Sequence, residues 1–417
     1  MTDVVILGGG PAGLTLACYL AGAGIDHVLL ERGHHPRTRV GETLLPSALR
    51  VFAEIGFLEV AQNAGFPPSP GIVYHTEGED PIEVRYHEFP SEHPDLGTSM
   101  HADRARLDML LMKHAQGMGC RIVQGASVRS VRLDDGGRAV GVVVDIGGKT
   151  VEWDARLVID ATGHQTLVGR QLGLRSRDPD LDQIAFHTWF EGVDRGPINH
   201  RDHVHVSFLP VHRGWAWRSP VADDLTSIGL VVDRAGFQAQ GLTPEEFFEA
   251  CVKDSPDLAA AMAKARPARV LGAETAVNYA LERIHGDGWL AVGDAARFVD
   301  PVFSAGVGMA VDSARLAANA VMKALEADDT SAASFASYQA EMFGAAAVWR
   351  RFARLFYRLM PAFTVFLRSP QYRGDLLRLL QGDIRDPADA LVLSEMEALV
   401  ATVEREANHP LRGSLRT

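Results

Sequence analysis

The sequence predicts an α/β protein: a Rossmann-like, nucleotide-binding domain interrupted by a β-rich domain and followed by a helical C-terminal region. Three observations predict it. A glycine-rich turn sits between an apolar strand and an Ala/Leu-rich helix at the very start of the chain. A second apolar strand ending in Gly-Asp returns near residue 293. Between them the apolar pattern alternates with period two, and beyond residue 331 it turns helical.

The elements follow in order. Val4-Val5-Ile6-Leu7 reads as a buried strand, Leu14 to Ala23 as a helix and His27-Val28-Leu29-Leu30 as a second strand, which makes a βαβ unit. Helices are expected over 46–62, on Leu49, Phe52, Ala53, Leu58 and Val60, and over 104–118. Strands follow at Arg121–Val123, Ser127–Leu133, Ala139–Val144 and Val151–Ile159, separated by Asp134-Asp135-Gly136-Gly137 and Gly147-Gly148 turns. The stretch 179–268 holds alternating runs at 203–208 and 227–232, as in an antiparallel sheet with one covered face. Residues 289–293 form another buried strand, and Gly306 to Leu325 a helix rich in small residues. The pattern over 331–405 is helical, broken at Pro361, Pro370 and Pro387.

Composition narrows the function classes. The chain has 417 residues, enough for two or three domains at about 150 residues each. A net charge of −12 argues against non-specific nucleic-acid binding, which calls for a basic face. Cys18, Cys120 and Cys251 make no CxxC pair and no disulfide framework. No apolar run reaches the roughly 18 residues of a membrane span, and the N-terminus lacks a basic leader, so a cytoplasmic protein is expected.

Gly8-Gly9-Gly10-Pro11-Ala12-Gly13 carries the first chemistry. Gly8 permits the tight turn, Gly10 lets a pyrophosphate approach the backbone, and Gly13 lets the helix pack on the strand. Bare N–H groups at the helix start favour an anion. Glu31 closes the second strand, placed to accept from ribose hydroxyls. Gly293-Asp294-Ala295-Ala296 follows the strand Trp289–Val292, and Val158-Ile159-Asp160-Ala161-Thr162-Gly163 ends another.

In this order the three motifs resemble those of the FAD-dependent monooxygenases and halogenases built on the para-hydroxybenzoate-hydroxylase fold. Four further segments resemble the halogenase-like branch: Gly41-Glu42-Thr43-Leu44-Leu45-Pro46, Arg104 with Asp108, Trp215-Ala216-Trp217-Arg218-Ser219-Pro220, and Asp300-Pro301-Val302-Phe303-Ser304-Ala305-Gly306-Val307. The resemblance spans about residues 1–360. It implies FAD as cofactor, held by Gly8, Gly10, Pro11, Ala12, Gly13, Glu31, Arg32, Arg39, Glu42, Arg104, Val128, Asp160, Gly163, Gly293, Asp294, Gly306 and Val307. It implies an FAD-binding domain from 1–75, 97–178 and 269–330, a substrate domain from 76–96 and 179–268, and a helical region over 331–417.

Three positions depart from the halogenase pattern. The Trp-x-Trp-x-Ile-Pro box has Ser219 in place of its Ile, a small change. The larger departure is in a segment whose pattern is roughly Gly-Phe-x-x-Lys-x-Gly, its lysine directing hypohalous acid: here Gly65-Phe66-Pro67-Pro68-Ser69-Pro70-Gly71 puts Ser69 at the lysine position. A hydroxyl has neither the amine nor the charge. Ala305 stands at a Ser/Thr position of a loop linked to halide. The expected activity is therefore that of a monooxygenase using reduced FAD and O2, through a C4a-hydroperoxide, on an aromatic or polyketide-like small molecule, free or bound to a carrier protein. The alternatives are a phenol or pyrrole halogenase with an atypical site, an oxidase or desaturase, and a non-catalytic flavoprotein. No second dinucleotide fingerprint exists, so reduced flavin is expected from a partner reductase or from transiently bound NAD(P)H.

For catalysis the candidates are Asp300, Phe303 and Ser304, with the Asp300 carboxylate steering a proton. For the substrate they are Ser69, His205, Trp215 and Trp217. His203 and His205 share a strand face at i, i+2, but with no third ligand nearby no metal is expected. His164 reads as a surface turn residue rather than an acid–base group, and His212 lies on or after a strand of the insert. The basic, aromatic stretch Trp349 to Arg358 reads as a packed helix with solvated arginines, or as a face for an acidic carrier protein or a membrane surface.

Overall fold

The computed structural model describes residues 2–88, 98–211, 213–382, 391–409, 411–412 and 415. The chain opens with β1 (Thr2–Leu7), α1 (Pro11–Gly22) and β2 (His27–Glu31), then α2 (Pro46–Glu54) and α3 (Leu58–Gln62). The single helix expected over 46–62 is two, because Gly56 takes a left-handed φ of 71° between them. Short β3 (Pro68–Ser69), β4 (Gly71–His75), β5 (Ile82–Arg85) and β6 (Ser99–Met100) lead to α4 (Arg104–Gly117), whose Asp103 side chain caps the Ala105 amide. β7 (Arg121–Gln124), β8 (Ala126–Leu133), β9 (Ala139–Ile146) and β10 (Lys149–Asp160) come next, then α5 (Leu167–Gln171).

The middle of the chain gives β11 (Arg175–Glu191), β12 (Val204–Phe208), β13 (Trp215–Pro220) and β14 (Leu225–Asp233). Three helices not expected from the apolar pattern follow: α6 (Arg234–Gln240), α7 (Pro244–Asp254) and α8 (Pro256–Met262). Then come β15 (Arg266–Pro267), β16 (Gly272–Leu281), β17 (His285–Gly286), β18 (Trp289–Ala291), β19 (Arg297–Phe298), α9 (Ala305–Glu326) and α10 (Ala336–Leu359). Last are α11 (Phe363–Arg368), α12 (Pro370–Leu380) and α13 (Leu391–Arg405). Pro361 and Pro370 each sit at a helix boundary, while His212 and Pro387 lie outside the described residues.

Two sheets organise these elements. In the first the order is β17-β18-β10-β1-β2-β7, parallel from β18 to β7, with Ile6 paired to Ile159 and to Leu29. β10 serves twice: its first half pairs antiparallel with β9 and its second half joins β1 and β18. Strands buried on both faces explain the continuous apolar runs. α1, α4 and α9 cover this sheet, and α9 brings Ala310, Ala314, Ala317 and Ala318 into that core.

The second sheet runs β19-β16-β11-β14-β13-β12-β4-β5 and is antiparallel except for β12 with β4. Its two faces pack differently. Val204, Val206, Trp215 and Val231 meet Leu45, Phe303 and the aromatic side chains of α10 and α11. Phe186, Ile228, Leu230 and Val232 meet Phe247 and Phe248 of α7. Among the described residues no helix is long and apolar enough to cross a membrane.

Candidate functional site

The opening turn is built backbone against backbone. Gly8 has φ 108°, and a Cβ there would stand 2.4 Å from the Ala161 carbonyl oxygen. A Cβ on Gly13 would stand 2.0 Å from the Gly8 oxygen. Gly10 differs: a Cβ there would find only Arg37 Nη2, at 3.8 Å. Pro11 is the first residue of α1, which has no side-chain cap, so its first amides keep their donors. The result is an open, electropositive cradle directly after β1.

Glu31 stands at the rim with its carboxylate organised. It accepts from Gly9 N at 2.6 Å, Gly33 N at 2.8 Å and Arg37 Nη1 at 2.9 Å. Burial alone would push its pKa up, but Arg37 and the two amides outweigh it and hold the group below the usual carboxylate range. Arg37 also donates to Gly9 O at 2.8 Å, so it ties strand end to glycine turn. The motif does not contain Arg37, and only tertiary structure shows its part. The exposed Arg32 and Arg39 flank it. An Arg37→Ala variant is expected to lose about 2 kcal/mol of stability at neutral pH. The depressed Glu31 pKa stabilises above its ordinary 4.5 and loses that effect as acid protonates it, so the gap to the parent closes on acidification. Thermal melts at pH 7 and pH 4 check both signs.

The late loop meets the cradle from the other side. Gly293 has φ 56°, its amide donates to Ser313 Oγ at 2.8 Å, and a Cβ there would stand 3.0 Å from the Ala12 methyl. Asp294 lies 3.3 Å from His164 Nε2. Burial disfavours the His164 cation, yet the hydrogen bond and charge of Asp294 raise its pKa overall. His164, expected to be a turn residue, thus sits in a short 3-10 turn and pairs with the motif carboxylate. Asp160 is fully buried and spends its carboxylate on Thr162 N, Thr162 Oγ1 and Val168 N, at 3.0, 2.6 and 2.7 Å. It shapes the turn that carries Gly163. Val128 lies half-buried on β8 at a register shift. Arg104 is buried against Asp108 at 3.0 Å and Glu42 accepts from Trp189 Nε1 at 2.9 Å, so both are held by the protein itself.

Ser304 precedes α9 with φ 56° and contributes no cap, leaving the start of the helix at Gly306 and buried Val307 with free amides. A Cβ on Gly306 would meet nothing within 4 Å. Beside this bare helix end lies Asp300, 3% exposed. Its Oδ1 accepts from Val302 N at 3.0 Å and from the Tyr357 hydroxyl at 2.8 Å, and Trp215 Nε1 donates to that hydroxyl at 3.0 Å. Oδ2 has no partner. Burial raises the Asp300 pKa to about 6, against the hydrogen bonds of Tyr357 and Val302 N and the influence of the nearby Asn278 side chain. Tyr357 comes from α10 and is invisible in any motif.

Phe303 stacks on Phe352 at 3.9 Å and meets Phe356 edge-on at 5.3 Å, so three aromatic rings pack together, with Phe303 three residues along the chain from the buried Asp300. Ser69 joins this region through Tyr86, whose ring belongs to the same apolar cluster. Both hydroxyls are buried without a well-formed hydrogen bond. Lys113, Lys149, Lys253, Lys264 and Lys323 are all exposed, so no ammonium approaches Ser69. Trp217 lies over Gly229, where a Cβ would come within 2.1 Å of its ring, and donates to Ser227 Oγ at 3.1 Å.

His205 is not brought to this site. It faces the other side of β12 from Val204 and Val206, 2.8 Å from His75 Nε2 and beside Arg218, whose guanidinium reaches Asp257 of α8 at 3.7 Å. Burial first, then Arg218, hold its pKa well down. His203 turns to Glu83 at 3.1 Å.

A cradle open at Gly10, an acidic residue closing β2 and a second bare helix end at Gly306 fit one dinucleotide cofactor with an anionic ring edge. The family described as FAD binding domain matches residues 1–351. The chain is 35% identical to a 1H-pyrrole-2-carbonyl-[peptidyl-carrier protein] chlorinase of Pseudomonas fluorescens, over 98% of this chain and 95% of that protein. It is 26% identical to the corresponding brominase of Pseudoalteromonas luteoviolacea, over 91% of each chain. A triple mutant of the flavin-dependent brominase Bmp2 superposes with a TM-score of 0.87 at 25% identity, covering 97% of this chain and all of that one. The chain is thus an FAD-dependent oxidoreductase, and it belongs to the FAD-binding family on the branch that holds the flavin-dependent halogenases.

Proposed function

We propose that the protein is a monooxygenase acting on an electron-rich aromatic acyl group, of pyrrole or phenol type, carried on a carrier protein. The single observation that carries this reading is Ser69: a buried hydroxyl stands where the halogenase pattern has lysine, and all five lysines of the chain are at its surface. The carrier-bound aromatic class follows from the names of the chlorinase and brominase relatives.

The bound, reduced flavin supplies activation of O2, one atom of which goes to substrate and the other to water. The chain's own residues do the rest. The Gly8–Gly13 turn and Glu31 hold the nucleotide end, and the amides at the start of α9 favour negative charge on the ring system. Phe303, Phe352 and Phe356 form an apolar wall near the buried Asp300 and help keep water from it. Asp300 Oδ2 is the free acceptor there. With a pKa of about 6 it is ionised at neutral pH, and it takes the N–H or O–H proton that the aromatic ring sheds as it is attacked.

A halogenase reading is favoured by the identity to the chlorinase, so the deciding assay runs with and without halide. The protein, a reductase-fed flavin supply, O2 and a pyrrole-2-carbonyl carrier protein are incubated with chloride, with bromide and with neither, and the product is weighed by mass spectrometry. One added oxygen, independent of halide, is expected. Incorporated halogen, or loss of two hydrogens as from a desaturase, overturns the proposal.

A further inference from the structure

The outer face of α10 is a row of arginines. Arg350, Arg354 and Arg358 recur every four residues with Arg351 between them, and with Arg297 of β19 they line a groove of about 480 Å³. The protein as a whole carries a net charge of −12, so this face runs against its own background.

The charges are partly paired. Arg351 meets Glu397 of α13 through two bonds of 2.6 Å, Arg358 meets Glu404, and Arg350 and Arg354 share Asp178, with Asp180 also on Arg354. The Arg351–Glu397 and Arg358–Glu404 pairs face solvent and are worth at most about 1 kcal/mol each, so a stronger anion displaces them at little cost, whereas Asp178 is largely buried. Arg297 makes no ion pair among the described residues, although Asp178 lies near enough to favour its charge. Its guanidinium lies 5.3 Å from the Phe343 ring, and burial, then the like charge of Arg350, lowers its pKa. The Nε–H groups of Arg297, Arg354 and Arg358 are buried within the protein and meet no acceptor there. Five guanidinium groups gathered in a single groove, one of them without an ion pair, favour an anion.

The groove also has an apolar side and a direction. Phe343, Ala347 and Leu355 line it beside the arginines. Arg297 and Phe343 in turn line a small inner cavity of about 10 Å³ with Gly293, Ala296 and Met309, which belong to the flavin loop and the first turns of α9. Arg297 and Phe343 thus face the groove on one side and the Gly-Asp loop on the other. A phosphodiester that continues into a flexible amide and alkyl arm satisfies both the donors and the apolar side.

We propose that this groove is the docking site of an acidic carrier protein, with Arg297, Arg354 and Arg358 taking the phosphate of its phosphopantetheine arm and Arg350 and Arg351 its acidic surface. The assignment rests on the carrier-bound substrate proposed above.

The test uses the full-length, flavin-loaded protein and a peptidyl carrier protein loaded with pyrrole-2-carbonyl, with binding followed by calorimetry at low and high salt. The double variant Arg354→Ala/Arg358→Ala is expected to bind about tenfold more weakly and with a shallower salt dependence, at unchanged flavin content. Glu397→Gln removes a competing carboxylate and is expected to bind more tightly, a change of opposite sign that misfolding cannot imitate. Parent-like binding by both variants overturns the groove and leaves the carrier-bound substrate standing. No binding of the loaded carrier to the parent protein, together with turnover of free pyrrole-2-carboxylate, overturns the carrier reading and the groove with it. Arginine-dependent binding to phosphatidylglycerol vesicles but not to the carrier also overturns the proposal.

Discussion

A Gly13→Ala variant is expected to purify colourless. The added methyl would lie 2.0 Å from the Gly8 carbonyl oxygen, a backbone atom without a flexible end to swing aside. Gly8 cannot retreat, because its amide donates to Leu30 O at 2.8 Å and the Ala161 peptide is packed so close that even a Cβ on Gly8 would stand 2.4 Å from its oxygen. The only relief is for α1 to slide off the strand, which opens the cradle and misaligns its bare amides. A cost of about 3 kcal/mol or more is expected, together with loss of flavin. Gly22→Ala is the internal control: it lies on the same helix, its methyl would meet only the Met118 Cε at 3.9 Å, and it gains helix propensity of up to about 1 kcal/mol. Flavin absorbance per polypeptide and the thermal midpoint report the contrast. Retained flavin in the Gly13 variant, with a midpoint within two or so degrees of the control, would refute the packing argument.

Asp300→Asn is expected to separate binding from chemistry. Flavin content should hold, since Asp300 is not part of the cradle, while turnover falls by about 10² to 10⁴ with loss of the proton acceptor. Stability should move the other way. The folded-state pKa of Asp300 is raised from the ordinary 3.8 to about 6 by burial. Its stabilising effect is therefore complete below pH 3.8 and lost as pH rises through 6, where the parent must carry a buried charge. The neutral amide escapes that, and its nitrogen can donate to the otherwise unpartnered Oδ1 of Asn278. At pH 8 the variant should exceed the parent by up to about 3 kcal/mol, and in acid the difference should vanish. Tyr357→Phe removes a donor that favours the carboxylate, so the acidic limb of the pH–rate profile should shift upward. A variant that matches the parent in turnover, or that is less stable at pH 8 than at pH 5 relative to it, would remove Asp300 from the mechanism.

The parts of this molecule legible in the sequence are those set by local chemistry. The βαβ unit could be read because Gly8, Gly10, Gly13 and Glu31 each answer a local steric or hydrogen-bonding demand. The strands of the middle sheet announced themselves by alternation, as at Val204–Phe208. The break at Gly56 was open to reading, since a glycine inside a helical pattern often ends it. The start of α7 was too: Thr243 and Glu246 form a reciprocal capping box, a signal of sequence spacing that the apolar periodicity outweighed. Tyr357, Arg37 and Asn278 were beyond reach. Tyr357 and Asn278 acquire their parts from partners distant in the chain, as Tyr357 does from Asp300 57 positions away, and Arg37, though six residues from Glu31, lies outside the motif and also ties to Gly9. His205 shows the same limit from the other side: period two gives the shared face of a strand, but not which face looks toward the flavin loop.

The first sheet has a consequence for how the chain comes to life. β1 pairs with β10, and β10 with β18, so adjacent strands arrive from the beginning, the middle and the last third of the polypeptide. Loop closure on that scale is entropically slow, and the glycine turn has no stable backing until Ala161 and Gly293 have emerged and docked. A ribosome-bound half-chain could not retain the dinucleotide, and acquisition of colour should therefore be a late event of folding, set by long-range strand docking rather than by encounter with the vitamin.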